Sequence, residues 1–167
     1  MKDLYKQKRQ SGFTIIEVLI VLAIAALILL IVFLAVPALQ RNSRNNGIRN
    51  DSAVVLAAVN DYASNNQGSL PAAQALQTGP IICIGGAAAT PCPASTSEAK
   101  VRGGTTITVF TGGCTTAPAT LGQIDVRTGC KCSATTIGTS IASARAISAQ
   151  FSVEATSGAN SPQCIES

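Results

Sequence analysis

Few residues of this chain have the type and spacing to do chemistry, and the most conspicuous is a single carboxylate. Glu17 stands immediately before Val18–Val36, nineteen consecutive residues without a charged or polar side chain. Gly12 and Phe13 precede it, behind a basic cluster of Lys2, Lys6, Lys8 and Arg9. A charged group inside a lipid-compatible helix costs on the order of 2.5–3.5 kcal/mol and is rarely kept without a partner. The second group is six cysteines, Cys83, Cys92, Cys114, Cys130, Cys132 and Cys164, all beyond the apolar run. An even count in a weakly cored domain predicts disulfides formed in an oxidising compartment. Six cysteines allow about fifteen pairings and the sequence does not choose among them. With no histidine, no CxxC and a Cys130-Lys131-Cys132 spacing too tight for the usual ligand pair, no metal site is expected. Asp125, Glu154 and Glu166 are scattered rather than paired, and none neighbours an activated nucleophile, so no catalytic residues are expected and the chain reads as a non-enzyme. Gly103-Gly104 and Gly112-Gly113 lack the lysine and helix of a phosphate loop, and no cofactor is expected.

The net charge of +4 is concentrated at one end. Residues 1–12 carry +3 of it (four cations against Asp3), leaving +1 for the rest of the chain. Overall basicity therefore does not indicate nucleic acid as a partner. Arg41, Arg44 and Arg49 form a cluster without interleaved aromatics, which predicts a solvated or intersubunit polar face rather than a nucleic-acid site.

These residues must be positioned by very different elements. As helix, Val18–Val36 spans about 28 Å, close to the hydrocarbon thickness of a bilayer. The cations before it favour a cytoplasmic N-terminus and an exported C-terminus, in agreement with the cysteines. A secretory signal peptide would end at a small-x-small cleavage site. The match here, Ala23-Ile24-Ala25, lies in mid-run with eleven more apolar residues after it. A lipoprotein site fails because residue 13 is Phe.

The basic leader, Gly12 and the sequence Phe13-Thr14-Ile15-Ile16-Glu17-Val18-Leu19-Ile20-Val21 resemble the class III signal of type IV pilins and pseudopilins. The resemblance covers residues 6–36 closely, the following helix weakly and the C-terminal part hardly at all. It implies a prepilin peptidase that cuts between Gly12 and Phe13 and methylates the new terminal phenylalanine. It also implies a single-pass membrane precursor with its C-terminus outside, passed by a pilus assembly machinery into an extracellular filament of this chain or of other pilins. Twitching motility, adhesion or DNA uptake would be the filament's role. For Glu17 the implied partner is the terminal amine of a neighbouring subunit, which makes the carboxylate a selector of axial register. Two alternatives remain: a pseudopilin of a type II secretion system, and a single-pass surface binding protein that never assembles.

The resulting division is a leader over 1–12, a transmembrane or filament-core helix over 13–36, a stem helix over 37–67 and a disulfide-tied domain over 68–167. Pro37 removes a backbone donor and crowds the carbonyl of Phe33, predicting a kink or local opening, with Gly47 a second weak point. Val55, Leu56, Val59, Tyr62 and Ala63 recur at helical spacing and need a covering partner. Gly68 suits a left-handed cap and Pro71 prevents continuation, giving a rod of about 80 Å. Beyond it, residues 72–103 read as loop, held at Cys83 and Cys92. Residues 105–111, 122–128 and 144–155 carry strand signals, and Cys164 is expected to pin the terminus. In the last of these segments Arg145, Ile147, Ala149, Phe151, Val153 and Ala155 alternate with Ala146, Ser148, Gln150, Ser152 and Glu154, predicting one face on the helix and one in solvent. The fold class is thus α+β and pilin-like: a long N-terminal helix packed on a small antiparallel sheet of about three or four strands.

Overall fold

The computed structural model describes residues 12–167 except Ala88, Thr115 and Ile137, and of Ala144 the backbone alone. Apart from Gly12, the expected leader lies outside the described residues. Helix α1 runs from Ile15 to Asn65 and is followed by seven strands: β1 (Gln74–Thr78), β2 (Ile81–Ile84), β3 (Ser97–Lys100), β4 (Thr106–Thr111), β5 (Gln123–Cys132), β6 (Ser140–Glu154) and β7 (Asn160–Glu166). The chain divides after Gln40 into an N-terminal unit and a compact unit, Arg41–Ser167.

In the N-terminal unit α1 buries none of its side chains, and its large apolar residues from Ile15 to Val36 are all exposed. Among the described residues α1 is the one helix long and apolar enough to cross a membrane. The helix continues through Pro37 and Gly47 without a break. Its end is sharper than a single glycine cap. Gln67 takes a positive φ of 56°, Gly68 follows at 80°, and the Gly68 amide donates to the Ala63 carbonyl at 2.7 Å. That six-to-one bond makes Gln67 the left-handed residue and Gly68 the one after it, as in a Schellman motif.

In the second unit the helical periodicity finds its partner. Ile48, Val55, Leu56, Ala58 and Val59 of α1 join Ile107 and Val109 of β4, Ile124 and Val126 of β5, and Ile147, Ala149, Phe151 and Val153 of β6 in one core. The sheet differs from the expected small antiparallel one. It has five strands in the order β1-β4-β5-β6-β7, with β4 and β5 parallel, and β2 and β3 form a separate antiparallel pair. Strands β1 to β3 occupy the region expected to be loop. All three are short: β1 ("QALQT") and β3 ("SEAK") are largely polar and lack a strong apolar signal, and β2 ("IICI") is an apolar run of only four residues, so their partners define them. Glutamine side chains take over where backbone pairing stops. Gln77 accepts from the Cys83 amide at 3.0 Å and donates to the Cys83 carbonyl at 2.9 Å, which mimics a ladder step between β1 and β2.

Two parallel neighbours need a crossover, here residues 112–122, and it explains a second departure from expectation. The polar face of β6 does not meet solvent: Ser148, Gln150 and Ser152 are buried like the core residues between them. Ser152 donates to the Pro118 carbonyl and Asn160 to that of Ala119, while the Ala117 amide donates to Gly138 at 2.8 Å. Gln150 donates to Ser140 at 2.9 Å. The crossover thus supplies the partner of Ser152, and the start of β6 that of the Gln150 amide, as buried polar groups demand.

Three disulfides tie this unit: Cys83–Cys92, Cys114–Cys130 and Cys132–Cys164. The first closes the turn after β2, the second fastens the crossover to β5, and the third joins β5 to β7 across β6. Between Thr128 and Cys130 the β5–β6 register slips, and Arg145 lies in the resulting bulge with a φ of 65°.

Of the three stem arginines, Arg44 and Arg49 are exposed and Arg41 partly so, and Arg44 is also tied to the sheet. Arg44 donates through Nε and Nη2 to both carboxylate oxygens of Glu154, at 2.9 and 2.7 Å. The fork holds the Glu154 carboxyl below its ordinary value of 4.5, against a smaller opposing effect of desolvation. A lowered folded-state value means that this contribution is fully present above about pH 4.5 and fades as pH falls through the lowered value. In denaturant titrations of the full chain in detergent, the stability difference between wild type and Glu154→Gln is expected at pH 6 and expected to shrink by pH 3. A difference that stays constant would contradict the pairing.

Candidate processing and assembly site

The residues around Gly12 are the ones the sequence singles out, and local chemistry fixes their arrangement. Gly12 is exposed, and a Cβ placed on it would meet nothing within 4 Å. Its lack of a side chain is therefore not required by packing in this fold. Phe13 is 89% exposed. Helix α1 begins two residues later and needs partners for its first amides.

Thr14 and Glu17 supply them. The Glu17 carboxylate accepts from the Thr14 amide at 2.8 Å and from the Thr14 hydroxyl at 2.7 Å, while the Glu17 amide donates back to the Thr14 hydroxyl at 3.3 Å. This is a reciprocal capping box with Thr14 at the N-cap and Glu17 at the third helical position. The sequence carried the signal, a Thr three residues before a Glu ahead of an apolar run. A role as a partner for another subunit does not require it.

The capping box has a chemical consequence. It uses the amide and hydroxyl of Thr14, not the amide of Phe13, so hydrolysis of the Gly12–Phe13 bond would leave it intact. The Glu17 carboxylate would then lie four residues along the chain from the newly created amine, which precedes the N-cap. Glu17 is the sole charged residue between Phe13 and Gln40, and it borders a groove of about 540 Å³ with Phe13, Val18, Ile20, Val21 and Leu22. A carboxylate held in one rotamer beside apolar walls is pre-oriented to receive a cation.

The remaining sequence-selected carboxylates are not brought together. Asp125 lies 3.6 Å from Arg127 and accepts from Gln123 at 3.0 Å; Glu154 is taken by Arg44; Glu166 accepts from the Cys132 amide at 2.8 Å. Asp51 is buried and accepts from Thr105 at 2.7 Å and from Arg102 at 3.1 Å. Among the described residues no three ligating side chains converge. All six cysteines are spent in disulfides.

Residues 7–33 match the prokaryotic N-terminal methylation motif, which is typical of type IV pilins and pseudopilins. No curated protein and no solved structure matches the chain. The motif, the apolar helix that contains most of it and the α+β pilin-like fold are together prepilin-like, and the helix is long and apolar enough to anchor a precursor in a membrane.

Proposed function

We propose that this chain is the precursor of a structural subunit of a type IV pilus. In this reading a prepilin peptidase hydrolyses the Gly12–Phe13 peptide bond and methylates the amine of Phe13. Residues 13–36 hold the processed subunit in the membrane until the assembly machinery moves it into a filament. The catalytic chemistry belongs to the peptidase, and the chain contributes its scissile bond.

The observation that carries the reading is Glu17, the lone charge in the exposed apolar segment 13–40, four residues from the amine that cleavage would create. Copies of Val18–Val36 can pack on one another in any axial offset, because none of their side chains is directional. A buried carboxylate and amine remove that freedom: an offset that separates them leaves two charges unpaired in an apolar interior, at a cost of several kcal/mol. Glu17 thus selects one register. The disulfide-tied unit would form the filament's outer surface, exposed to an oxidising environment that keeps such bonds.

Shearing cells that express the chain and imaging the released material tests this proposal. Filaments containing the chain are the expected result. Release of no filaments, with the processed chain retained in the membrane, would favour the non-assembling surface protein. Short filaments appearing only on overexpression of secretion components would favour the pseudopilin.

A further inference from the structure

Between Pro37 and Gly47 helix α1 has little to hold it. Pro37 cannot donate to the Phe33 carbonyl, Gly47 carries the low helical preference of glycine, and no residue of α1 before Gly47 is buried. Two polar ties to the sheet flank Gly47. On its N-terminal side, Asn45 donates to the Glu154 carbonyl at 2.9 Å and accepts from the Glu154 amide at 2.9 Å, while Arg44 forks onto the Glu154 carboxylate. On its C-terminal side, Asp51 accepts from Arg102 and Thr105. Gly47 itself admits the Arg102 guanidinium, since a Cβ there would run into it. One residue at the end of β6 thus receives four hydrogen bonds' worth of attachment from two successive helix residues separated from it by about 110 positions.

We propose that Arg44 and Asn45, closing on Glu154, form a clasp that sets where unwinding of the stem stops. While the clasp holds, helical hydrogen bonds N-terminal to Arg44 open without disturbing the core. When it is released, unwinding runs through Gly47 and halts at the Asp51 tie. The clasp fixes how far the stem lengthens before the C-terminal unit is loosened, and it operates in the unassembled chain, so it does not depend on the filament reading.

Hydrogen exchange followed by mass spectrometry on the full chain in detergent tests it. In the wild type, amides of residues 41–44 should exchange freely and those of 48–51, whose acceptors begin at Arg44, slowly. In Asn45→Ala and in Arg44→Ala the amides of 48–51 should exchange about tenfold faster or more, with those of 53–59 unchanged. The exchanged pair Arg44→Glu with Glu154→Arg should restore part of the protection. Should Asn45→Ala also loosen the amides of β5, Arg44→Lys, which keeps the charge and loses the fork, decides instead. Unchanged exchange at 48–51 in every clasp variant would overturn the proposal. So would wild-type amides at 41–44 as slow as those at 53–59.

Discussion

Glu17→Ala is expected to abolish filaments in sheared fractions while leaving the processed chain in the membrane at its usual level. The substitution makes the N-terminal helix wholly apolar, so membrane retention is not weakened. What it removes is the partner for the Phe13 amine. An amine buried among apolar helices without its counter-charge costs about 3–5 kcal/mol, a factor of roughly a hundred to several thousand at each subunit joint. Glu17 has a second task in the capping box, and the two tasks separate by magnitude. Thr14→Val removes the hydroxyl side of the box, and loss of a helix cap costs about 1 kcal/mol. Thr14→Val should therefore thin the filament population and Glu17→Ala should eliminate it. Wild-type filament yield from Glu17→Ala would refute the register-selecting role, and equal defects in both variants would mean that the cap alone explains the residue.

Removal of the Cys132–Cys164 disulfide is expected to be the most damaging of the three disulfide losses. Its 32-residue separation is the longest, against 16 for Cys114–Cys130 and 9 for Cys83–Cys92. On the chain-entropy account its loss costs about 3–4 kcal/mol, and that of the shortest about 2–3 kcal/mol. Against a total of about 5–15 kcal/mol for a domain, the larger figure is a substantial share. The local consequences differ as well. Strand β7 lies at the sheet edge beside β6, contains Pro162 and contributes just the partly buried Ile165 to the core, so apart from its ladder to β6 it is held by isolated bonds such as Asn160 to Ala119 and the Cys132 amide to Glu166. Paired Cys132→Ala and Cys164→Ala substitutions should lower the denaturation midpoint and open β7 to proteolysis before the rest of the unit. If the Cys83 and Cys92 pair proves costlier, or β7 stays protected, this ranking fails.

What the sequence disclosed and what it hid follow from how far apart the interacting residues lie. The N-terminal motif was legible because its signal is local: Gly12, Phe13 and Glu17 lie within six residues, and the apolar run needs no partner to be recognised. The helical face of Val55, Leu56 and Val59 was legible for the same reason. The strands from 74 to 100 were not, since segments as short as the polar Gln74–Thr78 and the four-residue apolar Ile81–Ile84 are shaped by their neighbours. The covered polar face of β6 was hidden because Ser148, Gln150 and Ser152 look identical in sequence whether water or the rest of the chain covers them. The pairing of Arg44 with Glu154 joins positions about 110 residues apart, and nothing in either neighbourhood announces it. The second role of Gly47, whose missing side chain makes room for Arg102, depends on a residue 55 positions away and leaves no local trace.

Everything proposed for assembly depends on where the mature chain begins. Intact-mass and N-terminal peptide mass spectrometry of the chain recovered from membranes or sheared material measures this directly. The account predicts a chain that starts at Phe13 and carries one methyl group on its α-amine. A chain retaining Met1, or starting at any residue other than Phe13, would contradict it.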